Sequence, residues 1–325
     1  MRVKIRPQSP EERDLRRADE YAKLGNWDAA GPIYHDLERR FNAIGDTRNA
    51  QYVRVSWLRT EEEYTDLQQL SLYVENLLRS PDVQKDLRMK MRCLEVKGSI
   101  DLNADGLSAR RSFEELIQVA RQLNDQDAES RASGELGIIA FLEGNTSEAR
   151  WRVLDAIAKA FLRGDVGAQI RYLALMGQGL VEHQWAEEAL FFLNRAIAIA
   201  RSNPNCGFPK VAWTGKAAAL IQLGRLAEVR ALVSEGLDYA RKHGYLGYEV
   251  DMLAQSAQLA VTEKQVPEAI RQYELAADLA ARIKFNRALA EVSAQLAALY
   301  QQIGNLRKAE DFVEQNYVGT LELGE

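Results

Sequence analysis

A small residue recurs every 40 positions in this chain, at Ala109, Ala149, Ala189, Val229, Ala269 and Ala309. A fixed period of that length means one supersecondary unit repeated in tandem, since a single unit cannot bury its apolar face alone and must close it against the next. Stepping back by the same interval lands beside Leu70 and then near Ala30, so about eight units account for almost all 325 residues. Each unit is punctuated twice. The first mark is a tight turn, seen as Gly25-Asn26-Trp27, Gly144-Asn145-Thr146, Gly224-Arg225-Leu226 and Gly304-Asn305-Leu306, just before the small residue. The second falls at Asn124, Gly164, Pro204, Gly244 and Lys284, again 40 apart. Glycine supplies the left-handed residue that ends one helix, and Asn145, Thr146 or Asn305 can cap the free amides of the next. Two marks per period predict helix pairs, and hence an all-α solenoid of about eight helix-turn-helix units. Their approximate bounds are 8–45, 46–83, 84–124, 125–164, 165–204, 205–244, 245–284 and 285–325, in one domain over 1–325.

Within the units, the position late in the first helix is small at Ala18, Gly137, Gly177, Ala217, Ala257 and Ala297. Tyr21 and Tyr300 stand three residues after two of these, Trp213 precedes Ala217 by four, and an alanine opens most second helices. In this pattern the chain resembles the tetratricopeptide-repeat family, and its 40-residue units resemble the long-repeat type found in kinesin light chains and in sensor regions of bacterial transcription activators. The resemblance implies a right-handed superhelix. Four residues into the second helix, Tyr34, Phe113, Val153, Leu193, Val233 and Tyr273 share one face and should fill the gap between neighbouring pairs. Gln184 and Lys264 replace the turn glycine, and the stretch from Trp57 to Leu78 matches poorly. Asn316 stands where earlier units have Leu116, Ala156, Ala196 or Ala276, as expected of a terminal unit with a polar outer face.

Composition sets limits on function. The net charge of −5 comes from 42 basic and 47 acidic residues interspersed along the chain, which argues against a general nucleic-acid binder. Only the first stretch leans basic, with Arg2, Lys4, Arg6, Arg13, Arg16 and Arg17, and it reads as a solvated terminus. No run of about 18 apolar residues occurs, so no membrane partner is expected and a cytoplasmic location follows by default. Cys93 and Cys206 lack CxxC spacing and read as buried, reduced thiols.

The motifs with chemical meaning fail on inspection. Asp101-Leu102-Asn103-Ala104-Asp105-Gly106 opens like a calcium loop, but Ser112 stands where the twelfth-position glutamate is required. Gly215-Lys216 would begin the end of a P-loop, yet Ala217 and Lys210 occupy the places of the hydroxyl residue and the upstream glycine. His35, His183 and His243 lie in separate units and read as surface or helix-end residues, without a ligand cluster or triad. Asn145-Thr146-Ser147 and Arg163-Gly164-Asp165 match a glycosylation site and an adhesion tripeptide, but both coincide with periodic turns. No catalytic residue, metal site or cofactor is expected.

What the family resemblance implies is a concave groove lined by the first helices. By register it includes Arg131, Ile138 and Phe141, then Arg171, Gln178 and Glu182, then Thr214, Ile221 and Gln258. Small residues at Ala174, Ala218, Ala254, Ala294 and Ala298 leave room there for a partner's helix or extended segment. The lysine and asparagine clamp of the family's chaperone-tail binders is not supplied by Gly134, Ile138, Ala174 or Gln178. The expected function is a scaffold or adaptor that holds a peptide or protein in this groove; the alternative is a ligand- or peptide-responsive sensor region of a bacterial-type signalling or transcription-regulating system.

Overall fold

The computed structural model describes residues 9–60, 67–104, 106–283 and 285–322, and among them finds helices and no strand. In chain order these are α1 (Pro10–Lys23), α2 (Trp27–Ala43), α3 (Thr47–Trp57), α4 (Leu67–Leu78), α5 (Pro81–Lys85), α6 (Leu87–Ala104), α7 (Gly106–Leu123), α8 (Gln126–Leu142) and α9 (Thr146–Arg163). They continue with α10 (Val166–Glu182), α11 (Ala186–Arg201), α12 (Lys210–Gln222), α13 (Leu226–His243), α14 (Leu246–Thr262), α15 (Val266–Arg282), α16 (Asn286–Gln302) and α17 (Leu306–Glu322). Each recurrent small residue of the sequence falls in the first turn of a second helix, from Ala30 in α2 to Ala309 in α17. Lys284 and the side chain of Asn316 lie outside the described residues.

The turns explain the punctuation. After α8, the Gly144 amide donates to Phe141 and the Asn145 amide to Ala140 (3.0 and 2.8 Å), with Gly144 at φ +78°. This is the Schellman pattern, which satisfies two helix-end carbonyls at once. Asn145 then caps α9 by accepting from the Glu148 amide. The same two bonds recur after α12, α14 and α16. Gln184 and Lys264, the apparent exceptions, take φ +63° and +60° with the same pairing, so the turn is kept at a steric cost instead of being rebuilt.

Packing follows from size. A Cβ on Gly177 would lie 2.5 Å from Leu193 Cγ and 3.2 Å from the Ala189 carbonyl oxygen, and one on Gly137 would lie 2.9 Å from Arg152 Cβ. The small position therefore lets the second helix sit directly against the first, and the large residues expected between pairs (Tyr34, Phe113, Val153, Leu193, Val233 and Tyr273) are all buried. Trp213 is buried with its indole N–H donated to the Leu232 carbonyl. In the third pair the small position is Gly98, one residue off the 40-residue register, with a Cβ there 2.8 Å from the Phe113 ring.

The stretch from Trp57 to Leu78 departs from the repeat for a visible reason. α3 ends in a 3-10 turn over Leu58–Thr60, and the extra short helix α5, capped by Ser80 and opened by Pro81, separates α4 from α6. Cys93 is buried, and burial pushes its thiol up to about 12. Cys206, expected to be buried, is only half-buried, because it falls in the irregular 202–209 loop before α12. His35, expected near a helix end, lies mid-way along α2, its ring tilted against Trp57 with centroids 4.3 Å apart. No helix among the described residues is long and apolar enough to cross a membrane.

By backbone contact the chain forms two compact units. Of the described residues, unit 1 comprises those within 9–60, 67–172 and 199–208, and unit 2 those within 173–198 and 209–322.

Candidate functional site

In unit 1 the first helices carry charge on one another's faces. Arg92 of α6 donates from Nη2 to Asp19 Oδ1 of α1 (2.8 Å), from Nη1 to Glu95 (3.0 Å) and from Nη2 to the Tyr52 hydroxyl of α3 (2.8 Å). Tyr34 donates its hydroxyl to the same Asp19 oxygen at 2.6 Å. Burial pushes the Tyr34 and Tyr52 phenols above their ordinary range. Burial alone would raise Glu95 as well, but the Arg92, Arg59, Arg131 and Lys23 cations outweigh it and hold the carboxyl below its usual value.

One pair further on, Arg131 of α8 grips Asp165 through Nε and Nη2 (2.8 and 2.5 Å), and Arg171 of α10 grips Glu135 in the same two-pronged way (2.6 and 2.5 Å). Tyr172 closes the pair by donating to the Arg131 carbonyl at 2.7 Å, its ring lying where a Cβ on Gly134 would be. The three arginines occupy equivalent places in successive first helices, 39 and then 40 residues apart by their numbers. Asp165 also caps α10 at Ala168, and Arg163 donates to the Gln126 carbonyl, so the tripeptide 163–165 is used internally. Asp101, first residue of the calcium-like stretch, is likewise taken, by Lys97 and Ser71 at 2.6 Å each. Asp105, the only residue of that stretch without described backbone, lies outside the described residues.

Unit 1 also closes on itself. The turn between α1 and α2 meets the loops before α10 and α12: the Gly207 amide donates to the Leu24 carbonyl (3.2 Å), Asn26 Nδ2 to Asn205 O (3.0 Å) and Arg131 Nη2 to Lys23 O (3.2 Å). Only glycine fits at these contacts. A Cβ on Gly167 would fall 1.8 Å from Lys23 O and one on Gly207 2.1 Å from Gly25 O.

Of the nine groove residues, the structure brings Arg131 and Arg171 together around Glu135 and Tyr172, with Ile138 and Phe141 half-buried further along α8. The others lie in unit 2. Gln178 and Glu182 are exposed on α10, Thr214 and Ile221 are half-buried on α12, and Gln258 on α14 accepts from the Tyr273 hydroxyl at 3.0 Å. Gln222 ties α12 to α10 by donating to the Val181 carbonyl. Around them Ala218 and Ala254 are half-buried and Ala294 and Ala298 exposed, whereas Ala174 is buried. Gln255, one turn from Gln258, has a buried Oε1 that accepts no hydrogen bond among the described residues. The sequence reading missed Asp19, Tyr52, Arg92, Glu95, Gly167 and Gly207. The signal for the last two was the 40-residue spacing itself, and for Arg92 its place one residue off the register of Arg131.

No protein-family model and no curated protein matches the chain. Solved structures do. A Rap protein complexed with competence and sporulation factor superposes with TM-score 0.64 at 10% identity, over 97% of this chain and 98% of that one. The Rap conjugation gene regulator of plasmid pLS20, in complex with the Phr* peptide, gives 0.61 at 13% identity over 97% and 74%. A signal-transduction ATPase with a tetratricopeptide repeat sensor from Pyrococcus horikoshii gives 0.51 at 15% over 98% and 50%. At such identities the likeness is one of fold. Together with the helix pairs, their small-residue contacts and their glycine-type turns, it makes this chain an α-solenoid of the tetratricopeptide-like type.

Proposed function

We propose that the chain is a binding protein that holds a peptide or protein segment against the face formed by its first helices. The observation that carries this reading is the buried Gln255 oxygen of α14, which accepts no hydrogen bond among the described residues, on the helix that also carries Ala254 and Gln258. A buried acceptor without a partner costs about 1–3 kcal/mol, and an incoming backbone N–H would remove that cost. Thr214 and Ile221 on α12 and Gln258 on α14 are half-buried in the same unit, and a partner that reached Gln255 would have to part the side chains that cover it. The peptide-bound state of one solved neighbour supports the class of ligand, though not its identity.

In unit 1 the face that carries Arg131, Ile138, Phe141 and Arg171 is a second contact region of the same protein. Its acids and bases neutralise one another and its phenols are pushed up, an arrangement that fixes charge in place and favours binding over acid–base chemistry. The closure of unit 1 supports a regulatory variant of the reading. Three hydrogen bonds and two glycine contacts hold it, so a bound ligand that disturbs them would open the unit.

Selection of random dodecapeptides displayed on phage against the full chain tests the proposal. An enriched peptide should lose at least about tenfold in affinity, roughly 1.4 kcal/mol, with Ile221→Glu and Gln258→Ala combined, at unchanged helicity. No enrichment, or binding indifferent to these changes and to Phe141→Glu, would sink it.

A further inference from the structure

Among the described residues, other second helices expose large apolar side chains singly or in pairs, as Phe191 on α11, Leu275 on α15 and Leu306 with Val313 on α17, whereas α9 gathers four. α7 exposes Arg111, Glu114, Glu115, Gln118, Arg121 and Gln122, as a solvated helix should. α9 instead exposes Trp151 (64%), Leu154 (44%) and Leu162 (86%), with Ala158 between them and Phe161 (42%) along the edge. Spaced by three, four, three and one, these residues fall within about 100° of arc at 3.6 residues per turn, so they form one stripe. The opposite face is also apolar, with Val153, Ala156, Ile157 and Ala160 buried against the rest of unit 1. The stripe is therefore surplus to the fold.

Its area selects the occupant. The exposed parts of these side chains amount to roughly 500 Å², near the upper end of what a monomer leaves open. Doubled about a two-fold axis they bury roughly 1,000 Å², the lower bound for a specific interface. The charges beside the stripe are self-complementary in one arrangement. Asp155 and Lys159, paired within the helix at 2.6 Å, lie along one edge. An antiparallel copy centred near residue 157 brings each opposite the other's counterpart, so the pair can exchange partners without unpaired charge. Arg150 on the other edge, which forms no ion pair among the described residues, then lies against the carbonyl end of the second copy's α9, where a cation is stabilised. The bulky residues stand at the two ends of the stripe and the small Ala158 near its middle, which lets the helices approach.

We propose that two copies of this chain associate through the outer face of α9, packed antiparallel about a two-fold axis near residue 157. Sedimentation velocity over a concentration series should show a monomer–dimer equilibrium. Trp151→Glu with Leu162→Glu should raise the dimer dissociation constant more than tenfold at unchanged helicity. Orientation is read by cysteines introduced one at a time in a Cys206→Ser background, where the remaining Cys93 is buried. Ala158→Cys should cross-link two chains under mild oxidation, whereas Arg150→Cys, roughly 20 Å from its counterpart along antiparallel helices, should not. A chain that is monomeric throughout, or a dimer indifferent to the double glutamate variant, would overturn the proposal. Cross-linking through residue 150 as readily as through 158 would overturn the antiparallel register.

Discussion

Unit 1 and unit 2 are built on one period and the same helix contacts, yet they fill their first-helix faces in opposite ways. In unit 1 that face holds Asp19, Arg92, Glu95, Arg131, Glu135, Asp165 and Arg171, locked to one another across α1, α6, α8 and α10. In unit 2, α12, α14 and α16 carry alanine, threonine and glutamine, and at the period of Arg131 and Arg171 stand Val211 and then the acids Asp251 and Glu291. Of the ion pairs described there, Arg225 with Glu228 and Arg271 with Glu268 are exposed, while Arg241 with Glu249 ties α13 to α14. The repeat therefore constrains the positions where helices touch and leaves the lining free. Unit 1 spends that freedom on acids and bases fixed by partners far away in the chain, unit 2 on small and amide side chains with acids where unit 1 has arginine.

The largest expected effect breaks the charged side of this comparison. Arg92→Met leaves Asp19 and Glu95 facing each other without their cation. Because both carboxylates keep some access to water (28% and 37% exposed side chains), the loss should be about 2–3 kcal/mol, below that of a fully buried pair. Arg271→Met in unit 2 removes an exposed pair and should leave the urea midpoint nearly unchanged. Urea unfolding of both variants reads the difference, and equal losses would mean the network in unit 1 does not stabilise it.

Next in size is the closure. Gly207→Ala places a methyl carbon against the Gly25 carbonyl oxygen, and since the obstacle is backbone, the loop or the turn must move. Such overpacking costs about 1–3 kcal/mol. Limited proteolysis should then cut faster within 23–26 and 202–209, while Gly224→Ser, at an open turn in unit 2, should leave both stretches protected. Unchanged cleavage in Gly207→Ala would show that the closure is not what shields them.

These contrasts also mark what could be read from the chain alone. The helix pairs, the turns and the packing residues were legible because each depends on neighbours within one period: Gly177 against Leu193, Asn145 on Glu148. The second pair was not, because the 3-10 turn after Trp57 and the added α5 replace the repeated turn. The network of unit 1 left a periodic trace in its arginines but none in the pairing. Asp19 and Arg92 are 73 residues apart, and Arg131 meets Lys23 across 108, so their pairing depends on how several helix pairs stack. Arg131 and Arg171 were placed on the right helices as groove cations, but their carboxylate partners came from Asp165 and Glu135, which no spacing rule picks out. The stripe on α9 was legible in principle, since Trp151, Leu154, Ala158 and Leu162 follow helical spacing beside an already apolar buried face.

Acid sharpens the comparison without a substitution in unit 2. Glu95 is pushed up by burial but held below its ordinary value by Arg92 and the cations around it. A carboxyl depressed in the folded state stabilises above its unfolded pKa, and that contribution is lost as pH falls through the folded value. The urea midpoint should therefore fall on moving from neutral pH to below about 4, and Glu95→Gln should flatten that part of the fall. A slope that Glu95→Gln leaves unchanged would move the acid sensitivity elsewhere.

The smallest expected effect runs the other way, toward stabilising unit 2. Its turns after α10 and α14 place Gln184 and Lys264 at φ +63° and +60°, while the turn after α8 in unit 1 has Gly144 at +78°. A side chain in this region suffers a steric cost of about 1–2 kcal/mol, which glycine avoids while losing more chain entropy on folding. The balance for Lys264→Gly should be a gain of about 0.5–1 kcal/mol, since the Lys264 and Gln265 amides already make the bonds the turn requires (2.9 and 2.8 Å) and need not move. Gly144→Lys in unit 1 should lose a similar amount by the same argument. Urea unfolding of the two variants tests whether one turn serves both units: opposite shifts of similar size mean that it does. A loss on Lys264→Gly would mean that the lysine side chain stabilises its turn by a contact of its own, and that the two units differ in their turns as well as in their linings.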